Sequence, residues 1–186
     1  MKNIFTILLF SLSAVSFGQT DGEEDTQEST RGGDGWGLSA TYMNGKAKAS
    51  AGGLSAESET LTAFGFGIFV QGSFSEDLKI KTDILYNTST NDGVTSSSIS
   101  VPGVLKFYTS SGGFNIQAGI VPAFSLEDVD TDLVKKTSIS GALGLGYDAD
   151  NFLIEVRYYP QLTDSSNIDG LELKSNSISF GLSYKF

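Results

Sequence analysis

Ser177-Ile178-Ser179-Phe180-Gly181-Leu182-Ser183-Tyr184-Lys185-Phe186, the last ten residues of the chain, alternate without a fault. Ile, Phe, Leu, Tyr and Phe take one face; Ser, Ser, Gly, Ser and Lys take the other. A period of two is the mark of a β-strand with one apolar and one polar face, because successive side chains point to opposite sides of a sheet. The same pattern recurs upstream. Trp36, Leu38, Ala40 and Tyr42 oppose Gly37, Ser39 and Thr41, and Phe64, Phe66, Ile68, Val70 and Phe74 share a face. Leu78, Ile80, Ile84 and Tyr86 oppose Lys79, Lys81, Asp83 and Asn87; Ile99, Val101, Leu105 and Phe107 oppose Ser98, Ser100 and Lys106. Phe114, Ile116, Ile120 and Phe124 oppose Asn115 and Gln117; Leu143, Leu145 and Tyr147 oppose Gly144 and Gly146; Phe152, Ile154, Val156 and Tyr158 oppose Glu155 and Arg157. Eight strands are expected. Their connections alternate between short turns and longer stretches at 44–58, 88–97, 125–136 and 160–174, the arrangement of an antiparallel up-and-down barrel.

Alternation does not say which face is outside, since a soluble ligand-binding barrel turns its apolar face inward. The aromatic residues separate the two readings. Of the 18 aromatics beyond residue 18, only Phe69, Tyr108 and Tyr159 fall off the apolar face. Trp36, Phe74, Phe107, Phe114, Tyr147 and Phe152 collect at the short-turn end, and Tyr42, Tyr86, Phe124 and Tyr158 at the long-loop end. Two such girdles bound the apolar band of a transmembrane barrel, so the fold expected is an eight-stranded antiparallel transmembrane β-barrel over residues 35–186.

The N-terminus agrees with export. Lys2, an apolar run from Ile4 to Phe17, and small Ser16 and Gly18 before Gln19 read as a signal peptide over residues 1–18; the run is too short for a spanning helix. Residues 19–34, with Asp21, Glu23, Glu24, Asp25, Glu28 and Asp34 and almost nothing apolar, read as a flexible acidic tail. These features place the chain in the outer membrane of a Gram-negative bacterium, with the tail and the C-terminus periplasmic. Outer-membrane lipid and lipopolysaccharide are then its surroundings.

The strands also resemble a known family, the small outer-membrane β-barrel domain of Bacteroidota-type bacteria called PorT-like. The resemblance lies in Ile99-Ser100-Val101-Pro102-Gly103-Val104-Leu105-Lys106-Phe107-Tyr108, in Gly119-Ile120-Val121-Pro122-Ala123, in Gly144-Leu145-Gly146-Tyr147, and in Glu155-Val156-Arg157-Tyr158-Tyr159 with Leu162-Thr163. It implies a barrel fold and allows a membrane role in a protein export or motility apparatus. The ending Phe180, Leu182, Tyr184, Phe186 resembles the C-terminal signal read by the barrel-assembly machinery, which makes that machinery a partner during biogenesis. Pro102 has its own physical reading: lacking a donor, it should mark a bulge or a strand end.

Composition removes most chemistry. The chain has no His and no Cys among 186 residues, so an imidazole base, a thiolate nucleophile and the usual zinc sites are excluded. Barrel enzymes of the outer membrane rely on a catalytic His, and no Ser–Lys spacing replaces it, so the chain reads as no enzyme and needs no cofactor. A net charge of −10 disfavours nucleic acid. Asp128, Asp130 and Asp132 open like a calcium loop, but Leu133 and Ile139 stand where its Gly and Glu belong, so the segment reads as a solvated acidic loop with at most weak divalent binding.

Lys79, Lys81, Asp83, Lys106, Glu155 and Arg157 project from separate strands to the polar face. Inside a narrow barrel they must pair, so a salt-bridge plug is expected, with a narrow channel as the alternative. The role expected is structural or surface-interacting, through protein partners at the long loops or the tail; the soluble ligand-binding barrel is the minor rival.

Overall fold

The computed structural model describes residues 33–58, 60–91, 94–109, 112–127 and 134–186. The signal segment, residues 19–32, and Asp128, Asp130 and Asp132 lie outside the described residues. Ten antiparallel strands form one closed sheet: β1 (Gly35–Ala51), β2 (Leu54–Glu57), β3 (Leu61–Ser73), β4 (Leu78–Asn91), β5 (Val94–Ser100), β6 (Gly103–Tyr108), β7 (Phe114–Ser125), β8 (Thr137–Ala149), β9 (Phe152–Pro160) and β10 (Leu171–Lys185). The expected eight staves are all present. β5 and β6 are two halves of one stave, and β2 is a short addition that pairs with β1 alone.

Pro102 explains the divided stave. Asp83 donates its amide to the Pro102 carbonyl at 2.9 Å, but proline has no N–H to return the bond. β5 therefore ends before it and β6 starts after it. No residue is inserted: Leu85 faces Ser100 above the break and Thr82 faces Gly103 below it, in unbroken register. The proline is a strand end rather than a bulge.

β10 closes the ring on β1 from Gly37–Lys185 to Ala51–Leu171. From Thr41 the register partners run through Gly65, Asn87 and Ser98 to Ser125. In the other direction they run through Gly181, Glu155 and Gly146 to Asn115. Both paths land on β7, ten residues apart. With strands ~4.8 Å apart and ~3.3 Å per residue, that stagger tilts eight staves by about 40° from the axis. Phe114 and Phe124, ten residues apart on β7, then bracket a rise of about 25 Å, the height of a bilayer-spanning band.

Three stretches expected as loops are partly strand. β1 continues to Ala51, β4 and β5 extend to Asn91 and from Val94, and β10 begins at Leu171. Segments such as Lys46-Ala47-Lys48-Ala49 have no apolar face, so the alternation signal is silent there. A ladder already nucleated in the barrel continues through them because their backbone groups still need partners. Gly52 and Gly53, with φ of 56° and 83°, make the two-residue turn into β2 that a hairpin requires.

Candidate functional site: the barrel lumen

The outer wall is apolar. Trp36, Phe64, Phe66, Ile68, Ile120, Leu143, Ile154, Phe180 and Leu182 are each more than half exposed. Among the expected girdle residues Phe74, Phe107, Phe114, Tyr147 and Phe152 stand exposed at the short-turn end, with Tyr42, Tyr86 and Tyr158 exposed and Phe124 half-buried at the other. Rings pair across neighbouring strands, as in Tyr42–Phe64 at 5.3 Å and Phe66–Tyr86 at 5.4 Å. The closing seam is held the same way: Phe186 lies 4.8 Å from Trp36 and donates its amide to the Trp36 carbonyl. Phe180, Leu182, Tyr184 and Phe186 all sit on the outer face of that seam.

The interior is charged. Lys81, Asp83, Lys106, Glu155 and Arg157 are almost fully buried, and they meet one another. Glu155 is the hub: its Oε2 lies 2.7 Å from Lys81 Nζ, and its Oε1 lies 2.7 Å from Arg157 Nη2 and 3.9 Å from Lys106 Nζ. Asp83 sits 3.0 Å from Lys81 and 3.6 Å from Arg157, and accepts a hydrogen bond from Ser39. Lys79, also buried, lies over the Tyr108 ring near the short-turn end.

Sequence reasoning missed Asp148. It is not among the charges singled out above, yet it points inward, wholly buried, with both carboxylate oxygens 2.7 Å from Lys106 Nζ. Tyr108 OH and Asn115 Nδ2 donate to it as well. With it the network balances: Lys81, Lys106 and Arg157 against Asp83, Asp148 and Glu155. Gln71 and Gln117 add neutral links, Gln71 accepting from Lys106 and Gln117 bridging Arg157 and Glu155. The signal for Asp148 was the alternation itself, which runs Gly144, Gly146, Asp148 on the inner face.

Phe69, Tyr108 and Tyr159, the three aromatics off the apolar face, are all inside. Lys81 Nζ lies 4.7 Å from the Phe69 ring centroid, so the cation has an aromatic face as well as its carboxylates. Below the network, Lys185 donates to the Gly33 carbonyl, and Ser73 donates to Asp34. The last two residues of the acidic segment are thus fastened to the short-turn rim. Above it, Val104, Val121, Ala142 and Tyr159 form an apolar layer against which Met43 packs.

The class this geometry defines is a closed eight-stranded up-and-down barrel of inverted polarity, apolar outside and ion-paired inside. No family model and no curated protein matches the chain. The PorT-like resemblance therefore stays one of strand motifs. Among solved structures the chain is similar to Ail, the attachment invasion locus protein of Yersinia pestis, at 15% identity and a TM-score of 0.48, covering 82% of this chain and 99% of that one. It is also similar to Neisserial surface protein A at 19% identity and 0.47, covering 80% and 97%. A third is the outer membrane protein OprG from Pseudomonas aeruginosa at 10% and 0.40, covering 84% and 98%. The fold rests on the closed register above.

Proposed function

We propose that this chain is a non-enzymatic integral outer-membrane barrel with a sealed lumen, whose long-loop end is a surface-interaction platform. The observation that carries the reading is the inversion of polarity. Large apolar side chains stand exposed all round the wall while eight charged side chains, the six of the network with Lys79 and Lys185, are buried within. In water that arrangement is unfavourable on both counts, whereas lipid around the wall removes the first cost and mutual pairing offsets the second. Among the described residues no helix is long and apolar enough to cross a membrane.

Orientation is supported by charge. Lys46, Lys48 and Lys174 are exposed on the outer wall just beyond the girdle at the long-loop end, with Lys48 directly opposite Lys174. Cations at that level, although Lys174 also pairs with Glu172 at 3.5 Å, suit the phosphates of lipopolysaccharide in the outer leaflet, which favours a periplasmic side for the N-terminal segment and Phe186. The platform is the sheet that β1, β2 and β10 carry beyond the girdle, and a protein partner would pair with or cover it. The balanced network across the lumen favours a plug over a channel.

The test is twofold. The reading requires a protein that needs detergent for extraction and migrates differently on gels before and after boiling. In planar bilayers it requires no steady unitary conductance. Release into buffer without detergent refutes the membrane reading; reproducible conductance refutes the plug.

A further inference from the structure

The upper half of the lumen differs from the plug beneath it. A cavity of about 410 Å³ opens there toward the long-loop end. Ser98, Ser125, Ser140 and Ser177, from four different staves, stand in its wall, and Met43, Leu85, Val121 and Tyr159 line it below them. Among the described residues its lining holds no cation and one charged group, Glu127, whose Oε1 accepts the Ser97 amide 3.0 Å away.

Two polar atoms at the base of this cup lack partners. Asn87 is only 6% exposed; its Nδ2 donates to Ser100 Oγ at 2.9 Å, while its Oδ1 accepts nothing. Thr41 Oγ1 is likewise buried and unpaired. Both flank Gly65: a Cβ there would sit 2.4 Å from Asn87 Oδ1 and 2.5 Å from Thr41 Oγ1. These two atoms close over Gly65 too tightly for even a methyl group, so a partner must reach them from the cup they line, and a buried acceptor without a donor is costly enough to call for one.

We infer that the cup is a binding site for a small uncharged polyol, a free sugar of one or two rings. Serine hydroxyls both donate and accept, which matches sugar hydroxyls; the apolar residues offer a surface to ring C–H groups. Asn87 Oδ1 and Thr41 Oγ1 take the deepest hydroxyl. The size lies in the ordinary range of small-molecule pockets, ~300–1,000 Å³. The absence of a cation in the lining and the carboxylate at the rim select against anionic sugars. The inference rests on the barrel reading for the statement that the cup faces outward, but binding itself needs only the folded barrel.

The test is a titration of the full mature chain, folded in detergent micelles, with glucose, maltose and glucuronate, followed by NMR at the Asn87 side-chain amide and the Leu85 methyls. Glucose or maltose should shift these signals saturably, with glucuronate weaker. Asn87→Leu and Gly65→Ala should each weaken binding about tenfold, the loss of roughly one hydrogen bond to a buried group. No saturable shift with either neutral sugar overturns the inference, as does tighter binding of glucuronate or affinity unchanged in variants that keep the heat-modifiable gel shift. Should neither variant fold, the wild-type titration decides alone. A barrel that folds and resists heat yet binds no sugar loses the cup and keeps the membrane reading.

Discussion

Replacing Lys106 by Met removes one charge from a network that balances three against three. Lys106 is fully buried, and its ammonium touches both oxygens of Asp148 at 2.7 Å and Gln71 Oε1 at 2.9 Å. Methionine keeps most of the volume, so packing changes little and the effect is electrostatic. Removing one partner of a buried ion pair costs about 3–5 kcal/mol, because the other charge stays uncompensated. Asp148 keeps Tyr108 OH and Asn115 Nδ2 as donors, which puts the expectation at the low end, about 3 kcal/mol, or on the order of 100-fold in the folding equilibrium. Adding Asp148→Asn removes the stranded charge, so the double variant should recover about 2 kcal/mol relative to the sum of the two single losses. Reversible urea unfolding in lipid vesicles, read by gel shift and by fluorescence of the sole tryptophan, Trp36, measures all four corners of the cycle. A loss below about 0.5 kcal/mol for Lys106→Met, or strict additivity in the double variant, would refute the claim that these charges form one network.

Gly146→Ala should cost about 1–2 kcal/mol in the same assay, because its Cβ would meet Gln117 Nε2 at 2.4 Å and Asn115 Oδ1 at 2.6 Å. Gly72→Ala, with nothing within 4 Å, should be neutral or slightly stabilising. In the connection between β9 and β10, Asp164 Oδ1 accepts the amides of Ser166 at 3.0 Å and Leu173 at 2.8 Å, and these bonds hold its carboxyl below the usual range. A lowered value stabilises this connection above the ordinary carboxylate pKa and is lost as pH falls through the lowered one. Hydrogen exchange should therefore show protection of these two amides falling in acid, with that pH dependence absent in Asp164→Asn.

The fold was legible because lipid-facing and lumen-facing positions must alternate, and few forces compete with that sorting. Phe69, Tyr108 and Tyr159 broke the pattern and each proved to be inside, so the exceptions carried information too. Length was harder to read. Beyond the girdles both faces of a strand meet water, the alternation has nothing to sort, and β1, β4, β5 and β10 run further than hydropathy shows. Asp92-Gly93 between two Ser/Thr runs was a usable hairpin signal that a loop reading passed over. The charged half of the lumen was largely visible, since charges on polar faces of separate strands have to meet. Asp148 escaped because an acid beside Asp150 and Asn151 looks like turn chemistry. The cup escaped for a different reason. Serine is ordinary on any polar face, and only Met43, Leu85 and Val121, apolar residues at inward positions, marked the layer that separates cup from plug.

The membrane reading depends on lipid contacting the outer wall, and Trp36 reports on that contact directly. It is 57% exposed, packed against Phe186 at the short-turn girdle, and no other tryptophan competes with its signal. In vesicles whose acyl chains carry bromine near the interface, its fluorescence should fall strongly, while aqueous iodide should have little effect. Emission indifferent to brominated lipid and readily quenched by iodide would place that wall in water and contradict the account.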